Sequence, residues 1–479
     1  TNLGNLSFNM ASGTAAVSIA IDGGVKNTVA PTITATAGTA TSATISSTGA
    51  TNTVGAVTLS GGTNTVTSLT INAATNLTAA LVAADFAATA TMTVTGAGKV
   101  NVGANFDGAT IDASANTGGL TASTTTGVTK SVVGSSAADS VTLVGSLTAA
   151  GTINLGAGDD KLLSGAGAAI ASTNTIDGGA GNDSISAALI NAANAAKIVN
   201  FESLDVSATT ATALDADLIT GSTITALTLS GGANTSTVNN VAVGVGLRVD
   251  SASTGTYNIG VKGASTGTTD AFTVTFAGAA AASAPVAATI TAGTVVTAGV
   301  EAVTVASAGG ANTWNAVALT ADKLKTVTVT GDKNLDLTFA GTNGTNGGTG
   351  GAVSLIDGTA ATGKLSINTT NVTADSASAG LTVKGGSAAD TITLAQKATA
   401  DGGAGADTII VSVNGGTLTG GAGNDKFDVV AALAVGGALT EATGAFKTSI
   451  TDLTAGDSIK LLATATAFTA TKVALGVGV

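Results

Sequence analysis

Glycine and aspartate recur together at fixed spacing in two parts of the chain. The most regular copies read Gly-Gly-Ala-Gly-Asn-Asp at residues 178–183 and 420–425, and Gly-Gly-Ala-Gly-Ala-Asp at residues 402–407. Glycine permits positive φ angles, so backbone carbonyl groups can turn toward a common point. Each aspartate adds a carboxylate, and Ca²⁺ prefers oxygen ligands of both kinds. The pattern therefore predicts calcium-binding loops.

The spacing of the copies is typical of a parallel β-roll, in which a coil consists of two short strands joined by two tight loops. In the second group the loops follow one another at intervals of 17 and 18 residues, the length of one coil. Asp390, Asp407 and Asp425 are therefore expected to stack on one edge and to hold two ions between them. A single loop cannot supply the roughly six to eight oxygens that Ca²⁺ requires, so the ions should lie between successive loops.

Some copies depart from the repeat. Residues 134–139 and 385–390 keep the final aspartate but lack one or more glycines, and Leu155 replaces the first glycine of the copy at residues 155–160. The intervals in this first group are 21 and 23 residues, which indicates longer or bulged coils. Glycine turns in a solenoid without calcium would explain the glycines, but not an aspartate at the same offset each time.

The candidate calcium ligands are the glycine carbonyls and polar side chains of these loops. They are Asp139, Gly156, Gly158, Asp159, Asp160, Gly178, Gly179, Gly181, Asn182, Asp183, Gly385, Asp390, Gly402, Gly403, Gly405, Asp407, Gly420, Gly421, Gly423, Asn424 and Asp425. Weaker candidates are Asp177, Glu202, Glu301, Asp401 and Asp428. Glu202 and Glu301 begin two similar alternating strands, where each is either a solvated side chain or a calcium or structural ligand. The loops together predict roughly four or more Ca²⁺ ions.

The composition argues against several functional classes. The 479 residues contain no histidine and no cysteine, which excludes disulfides, thiolate metal sites and Ser-His-Asp or Cys-His catalysis. The net charge of −12 argues against nucleic acid or anionic lipid as a partner. No run of 18 apolar residues occurs, so no membrane insertion is predicted. Since no convincing pair of carboxylates suggests glycosidase chemistry, the chain is not expected to be an enzyme.

The remaining sequence predicts strands with little helix. Thr, Val, Ile and Ala alternate in short runs that Gly, Asn and Ser separate. The expected fold is all-β: a parallel β-roll or β-solenoid with glycine-rich calcium loops, with further solenoid or sandwich-like segments. Short helical turns are expected at residues 80–86, 214–218 and 319–324, and a helix at residues 187–197.

Five segments follow from this pattern. Residues 1–130 form a β-rich solenoid or sandwich segment, and residues 131–186 form a first calcium-binding β-roll. Residues 187–382 form a β-rich middle segment with short helical turns. Residues 383–430 form a second calcium-binding β-roll, and residues 431–479 form a capping segment related to secretion.

The chain resembles the C-terminal, lattice-forming part of Caulobacter-type S-layer proteins, which carry RTX-type β-roll repeats. The resemblance rests on the two sets of loops and on residues 156–160, 240–247, 298–301 and 330–337. It implies a structural protein that type I secretion exports and that forms a Ca²⁺-dependent two-dimensional crystalline coat on a Gram-negative cell.

The resemblance also implies partners. These are further copies of the chain itself and the type I secretion machinery. Cell-surface polysaccharide would be bound only through an N-terminal region that this sequence does not show. A type I-secreted RTX adhesin or biofilm-matrix module is the alternative function.

Overall fold

The fold was obtained as a computed structural model. The structure describes residues 5–11, 13, 15–23, 31–103, 106–125, 127–148, 150–210, 212–278, 289–310, 314–344, 352–373, 380–412, 415–429 and 448–460. All candidate calcium ligands lie in these ranges. Most of the predicted capping segment, residues 431–479, lies outside them. The chain divides into two units, Thr1–Gly263 and Ala264–Val479, and the division falls inside the predicted middle segment. The five-segment organisation stays a prediction.

The described part of the first unit consists of short parallel strands. In chain order these are β1 Leu6–Asn9, β2 Ala16–Asp22, β3 Ile33–Ala37, β4 Ser42–Thr48, β5 Asn52–Thr58, β6 Val66–Ala73, β7 Leu77–Leu81, β8 Phe86–Gly96, β9 Val100–Gly103, β10 Thr110–Asn116, β11 Leu120–Ser123, β12 Ser131–Val133, β13 Ser140–Leu143, β14 Thr152–Asn154, β15 Lys161–Ser164, β16 Thr175–Asp177, β17 Ser184–Ser186, β18 Ile198–Val199, β19 Ser203–Asp205, β20 Leu214–Asp215, β21 Ala226–Leu229, β22 Thr235–Val241, β23 Gly246–Val249 and β24 Thr256–Val261.

The second unit is built in the same way. Its strands are β25 Ala271–Phe276, β26 Thr289–Val296, β27 Ala302–Ala306, β28 Trp314–Thr320, β29 Thr326–Gly331, β30 Asn334–Phe339, β31 Leu355–Ala361, β32 Leu365–Asn368, β33 Leu381–Lys384, β34 Thr391–Thr393, β35 Ala398–Asp401, β36 Thr408–Ile410, β37 Gly416–Thr419, β38 Lys426–Asp428, β39 Ser449–Ile450 and β40 Ser458–Lys460.

Apart from β18 and β20, which belong to different sheets, strands pair with the second strand before and after them in the chain, so each unit is an all-parallel β-solenoid. In the first unit β13 pairs with β15 and β15 with β17, while β14 pairs with β16. In the second unit β33 pairs with β35 and β35 with β37, while β34 pairs with β36 and β36 with β38. This arrangement confirms the predicted fold class, and the described residues before 131 are solenoid and not sandwich.

The alternation of apolar and hydroxyl residues explains why these segments form strands. Inward positions are stacked in register from coil to coil, so each apolar side chain packs on the equivalent side chain of the next coil. One such column of buried residues runs through Ala43, Leu69, Met92, Ile111, Val132, Ile153, Ile176 and Ile198. The outward positions between them are mostly Thr and Ser. The core between the sheets is thin, so it needs few aromatic residues.

Buried asparagines hold the corners where the chain passes from one sheet to the other. The Asn116 side chain donates to the carbonyls of Gly96 and Gly98 at 2.8 and 3.0 Å. Its Oδ1 accepts the N–H groups of Gly118 and Gly119 at 3.0 and 2.8 Å. Asparagines that are also buried and donate to backbone carbonyls are Asn52, Asn174, Asn194, Asn315 and Asn343. These side chains replace the hydrogen bonds that the backbone loses at each corner.

Helical structure is limited to single 3-10 turns in the described residues. Turns at Ala83–Asp85 and Ala216–Leu218 agree with two of the predictions, whereas residues 321–324 form a turn without helical residues. The predicted helix at 187–197 is wrong, since two separate turns, Ala187–Leu189 and Ala195–Lys197, occupy it. Coils of a solenoid must turn corners every few residues, which leaves no length for a helix. No helix among the described residues has the length and apolar character needed to span a membrane.

Candidate metal centre

The glycine-aspartate loops connect successive strands and stack on one another. In the first unit, loops 155–160 and 178–183 lead into β15 and β17. Ala157 and Ala180 form a parallel bridge, and the Gly158 N–H donates to the Ala180 carbonyl at 2.8 Å. Loops of successive coils therefore stack on one another in the first unit.

The same contact recurs in the second unit, where loops 385–390, 402–407 and 420–425 lead into β34, β36 and β38. Ala404 and Ala422 form the bridge, and the Gly405 N–H donates to the Ala422 carbonyl at 2.7 Å. Loops of successive coils thus contact each other through their backbones in both units.

The close stacking of the loops is by itself a sufficient reason for the glycines of the repeat. Gly423 has a φ of +148°, and a Cβ atom there would lie 1.7 Å from the Gly405 carbonyl oxygen. Gly181 has a φ of +147°, and its Cβ would lie 1.8 Å from the Gly158 carbonyl oxygen. Any side chain at these positions would push the loops apart. The glycines are therefore explained without an ion.

The aspartates of successive loops form a ladder. In the first unit the Asp139 N–H donates to Asp160 Oδ1 at 2.7 Å, and the Asp160 N–H donates to Asp183 Oδ1 at 2.8 Å. The ladder ends where the Asp183 N–H donates to Glu202 Oε2 at 2.8 Å. One carboxylate oxygen of each residue thus has a structural role, which the spacing of the sequence did not reveal.

The second unit repeats this ladder. The Asp390 N–H donates to Asp407 Oδ1 at 2.7 Å, and the Asp407 N–H donates to Asp425 Oδ1 at 2.8 Å. The Asp425 N–H then donates to Asp457 Oδ1 at 2.8 Å. An aspartate at a constant offset is therefore partly explained by hydrogen bonding between coils.

The second carboxylate oxygen of three of the loop aspartates remains without a partner. Within the described part of the chain, the buried Oδ2 atoms of Asp160, Asp183 and Asp407 have no hydrogen-bond donor. All three side chains are at most 1% exposed. Burial without a donor is unfavourable for a charged carboxylate, and a bound cation would remove that cost. These oxygens are the strongest structural indication of a metal ion.

Burial also changes the acidity of these groups. It raises the pKa of Asp160 to about 7, that of Asp183 to about 6 and that of Asp407 to about 7, and neighbouring carboxylates add to each shift. Without a cation, protons would therefore compete for these carboxylates near neutral pH.

Carbonyl oxygens of the next loop converge on the same place. A Cβ atom on Gly402 would lie 2.4 Å from Asp407 Oδ2 and 2.5 Å from the Gly420 carbonyl oxygen. Oxygens from two successive loops thus share a space that no side chain fills, which suits a hard cation such as Ca²⁺. Across the described residues, no three side chains of His, Cys, Asp or Glu come together as a metal site. Most ligands of an ion here would therefore be carbonyls.

Several predicted ligands lie outside this space. Asp159, Asn182 and Asn424 are exposed, and Asp159 Oδ1 accepts the Asn182 N–H at 3.0 Å. Asp428 pairs with the Lys460 ammonium at 2.8 Å. Asp159, Asn182 and Asn424 therefore lie at the rim of the loops, whereas Asp428 lies at the end of β38.

The two glutamates have the same structural role. Glu202 accepts the Asp183 N–H, and Glu301 Oε2 accepts the Asp270 N–H at 2.9 Å. Glu301 is only 4% exposed, so a solvated side chain is the wrong interpretation for it. Both side chains act as acceptors for an aspartate one coil earlier.

Two residues at the end of the second ladder did not stand out in the sequence. Asp452 accepts the N–H groups of Gly420 and Gly421 at 2.8 and 2.7 Å, and Asp457 accepts that of Asp425. Asp457 follows Asp425 by 32 residues, well beyond one coil, and so the spacing of the repeat could not identify it. The Gly456-Asp457 pair was the available signal.

The comparison with protein families agrees with this site. The RTX calcium-binding nonapeptide repeat, a family model of 4 copies, matches residues 152–170 and 171–188. These two matches contain the loops of Asp160 and Asp183. Repeats of this family bind calcium and are typical of secreted, extracellular proteins. A comparison with curated proteins finds no match.

Proposed function

We propose that the chain is the lattice-forming part of an S-layer, a Ca²⁺-dependent two-dimensional coat on a Gram-negative cell. Type I secretion exports the chain in this proposal. The observation that carries the proposal is that each unit is a parallel solenoid with its own stacked calcium loops. Such units offer regular outer faces for contact between copies. Their rigidity depends on calcium, an ion that is abundant outside the cell.

Calcium acts in this proposal as a folding switch. Extracellular calcium sites have dissociation constants of about 10⁻⁴–10⁻³ M, so they stay empty in the cytosol. At about 1 mM Ca²⁺ and a Kd of about 0.1 mM, each site adds roughly 1.4 kcal/mol to the free energy of unfolding. Several such sites approach the whole stability of a domain, roughly 5–15 kcal/mol. The chain would then be exported before it binds calcium, and it would fold and assemble outside the cell.

The outer faces support packing between copies. One outward row of the first unit carries a hydroxyl in seven consecutive strands of one sheet: Ser42, Ser68, Thr91, Thr110, Ser131, Thr152 and Thr175. An uncharged row of this kind allows close approach between molecules that each carry a net charge of −12. The partners in this proposal are therefore further copies of the chain, with polysaccharide bound only through another region, and no catalytic activity is proposed.

Electron microscopy tests the proposal. The purified chain is placed on a lipid or carbon support at about 1–5 mM Ca²⁺, a range that fills extracellular-type sites, and in parallel with chelator. Ordered two-dimensional arrays that form only with calcium are expected. Folded, discrete molecules under both conditions would contradict the lattice function and favour the second candidate, a secreted RTX adhesin or matrix module, which the repeats fit equally well.

A further inference from the structure

The loops differ in how their aspartate uses its second oxygen. In the described part of the chain, Oδ2 is buried and without a donor in Asp160, Asp183 and Asp407. In the degenerate loops, residues 134–139 and 385–390, the same atom is occupied. Asp139 Oδ2 accepts the Ser135 N–H at 2.5 Å, and Asp390 Oδ2 accepts the Gly386 N–H at 2.6 Å.

The donor in both degenerate loops is the N–H of the second loop residue. In the three loops with a free Oδ2 this N–H has another acceptor, the side chain two residues earlier. The pairs are Gly156 with Asn154, Gly179 with Asp177 and Gly403 with Asp401, at 3.0, 3.0 and 3.2 Å. The state of Oδ2 therefore follows the residue that precedes the loop.

The sequence explains the difference. Val133 and Lys384 stand two residues before Ser135 and Gly386 in the degenerate loops, and neither side chain can accept a hydrogen bond. The loop aspartate then satisfies the N–H, because a buried N–H without an acceptor is costly. The loop at residues 420–425 solves the same problem from the next coil, since Asp452 accepts the Gly421 N–H at 2.7 Å.

We propose that Asn154, Asp177 and Asp401 are positioning residues of the calcium sites. Each occupies the loop N–H and thereby leaves Oδ2 of the loop aspartate free for the ion, without itself binding calcium. The degenerate loops do not hold a calcium ion through Asp139 or Asp390. This proposal rests on the calcium binding included in the proposed function, and it names the residues that decide which loops bind.

The first test separates positioning from direct ligation at residue 401. Calcium binding to the full chain is measured by isothermal titration calorimetry, and bound ions are counted by native mass spectrometry. Asp401→Ala is expected to lower the affinity of one site about tenfold, because the Gly403 N–H then takes Asp407 Oδ2. Asp401→Asn should bind like the wild type, because an amide oxygen accepts the same N–H, as Asn154 does.

A matched control is available in the same unit. Asn368 Oδ1 accepts the Thr370 N–H at 3.0 Å in the same two-residue geometry, but Asn368 pairs with Thr393, at the end of β34 opposite the loop at 385–390. Asn368→Ala should leave calcium binding unchanged. Equal losses in Asp401→Ala and Asp401→Asn would show that the Asp401 carboxylate is a ligand, which would overturn the proposal. Equal behaviour of Asp401→Ala and Asn368→Ala would also overturn it.

The second test restores a site. Lys384→Asp places an acceptor before the loop at 385–390, so Asp390 Oδ2 should be released beside the Gly402 carbonyl and the ion count should rise by one. An unchanged count in a folded variant would contradict the proposal. A wild-type chain that binds no calcium would instead defeat the calcium dependence of the proposed function, so the two failures are distinguishable.

Discussion

At the scale of single residues, the buried carboxylates govern the behaviour of the molecule. One oxygen of each loop aspartate joins neighbouring coils, and the other is left for a cation in Asp160, Asp183 and Asp407. A charge in this position destabilises the fold without an ion and stabilises it with one. The effect of a neutral side chain should therefore change sign with calcium.

Asp407→Asn tests this sign change. The amide keeps an acceptor for the Asp390 N–H but carries no charge, so the variant should be more stable than the wild type in chelator. In about 5 mM Ca²⁺ it should be less stable by roughly 1–2 kcal/mol, the contribution of one filled site. Thermal unfolding under both conditions measures this. Asp357→Asn, outside the loops, should show no calcium-dependent difference. An Asp407→Asn variant that is destabilised equally in both conditions would contradict this role of Asp407.

At the scale of elements, each stack of loops is a column of interacting carboxylates. The pKa of Asp160 and Asp407 is raised to about 7 and that of Asp183 to about 6, chiefly by burial. In the unfolded chain these groups titrate near 3.8. Between these values the native state without calcium holds protons that the unfolded chain has released.

Stability should therefore depend on pH in opposite directions with and without calcium. In chelator the melting temperature should fall as pH rises from about 4 to about 7, because the unfolded state binds fewer protons than the native state. With saturating Ca²⁺ it should rise over the same interval, because the ion requires deprotonated carboxylates. Differential scanning calorimetry across this range measures both slopes. Parallel slopes would show that calcium does not occupy these carboxylates.

At the scale of the whole molecule, the chain is acidic, with a net charge of −12, and each of its two units is a β-solenoid. Its assembly should require Ca²⁺ and not divalent charge in general. Mg²⁺ demands octahedral geometry at about 2.0–2.1 Å and keeps several waters, which loops built mainly from carbonyl oxygens do not accommodate. Arrays should form at millimolar Ca²⁺ and fail at the same concentration of Mg²⁺ in electron micrographs. Equal assembly in both would indicate charge screening without specific sites.

Much of the fold could be predicted from the sequence because it depends on local repetition. Alternating Thr and Val identified the strands, and the loop intervals identified the parallel roll. The predicted helix at 187–197 failed, because an alanine-rich composition is compatible with a helix but does not show the corners that Asn194 holds.

The details of the site could be predicted less well. The loops and their aspartates were visible, but the ladder of hydrogen bonds joins residues about one coil apart and depends on register. For that reason the roles of Glu202 and Glu301 stayed open, and Asp457 was missed. Asp177 and Asp401 looked like weak ligands, although each accepts an N–H of its own loop.

A crystal structure grown in millimolar calcium, with anomalous scattering to locate the ions, tests the central claim most directly. We expect peaks within about 2.3–2.6 Å of Oδ2 of Asp160, Asp183 and Asp407. No peak should lie beside Asp139 or Asp390. The absence of ions at Asp160, Asp183 and Asp407 would contradict calcium binding by the buried carboxylates. Ions beside Asp139 and Asp390 would contradict the claim that these two aspartates do not bind calcium.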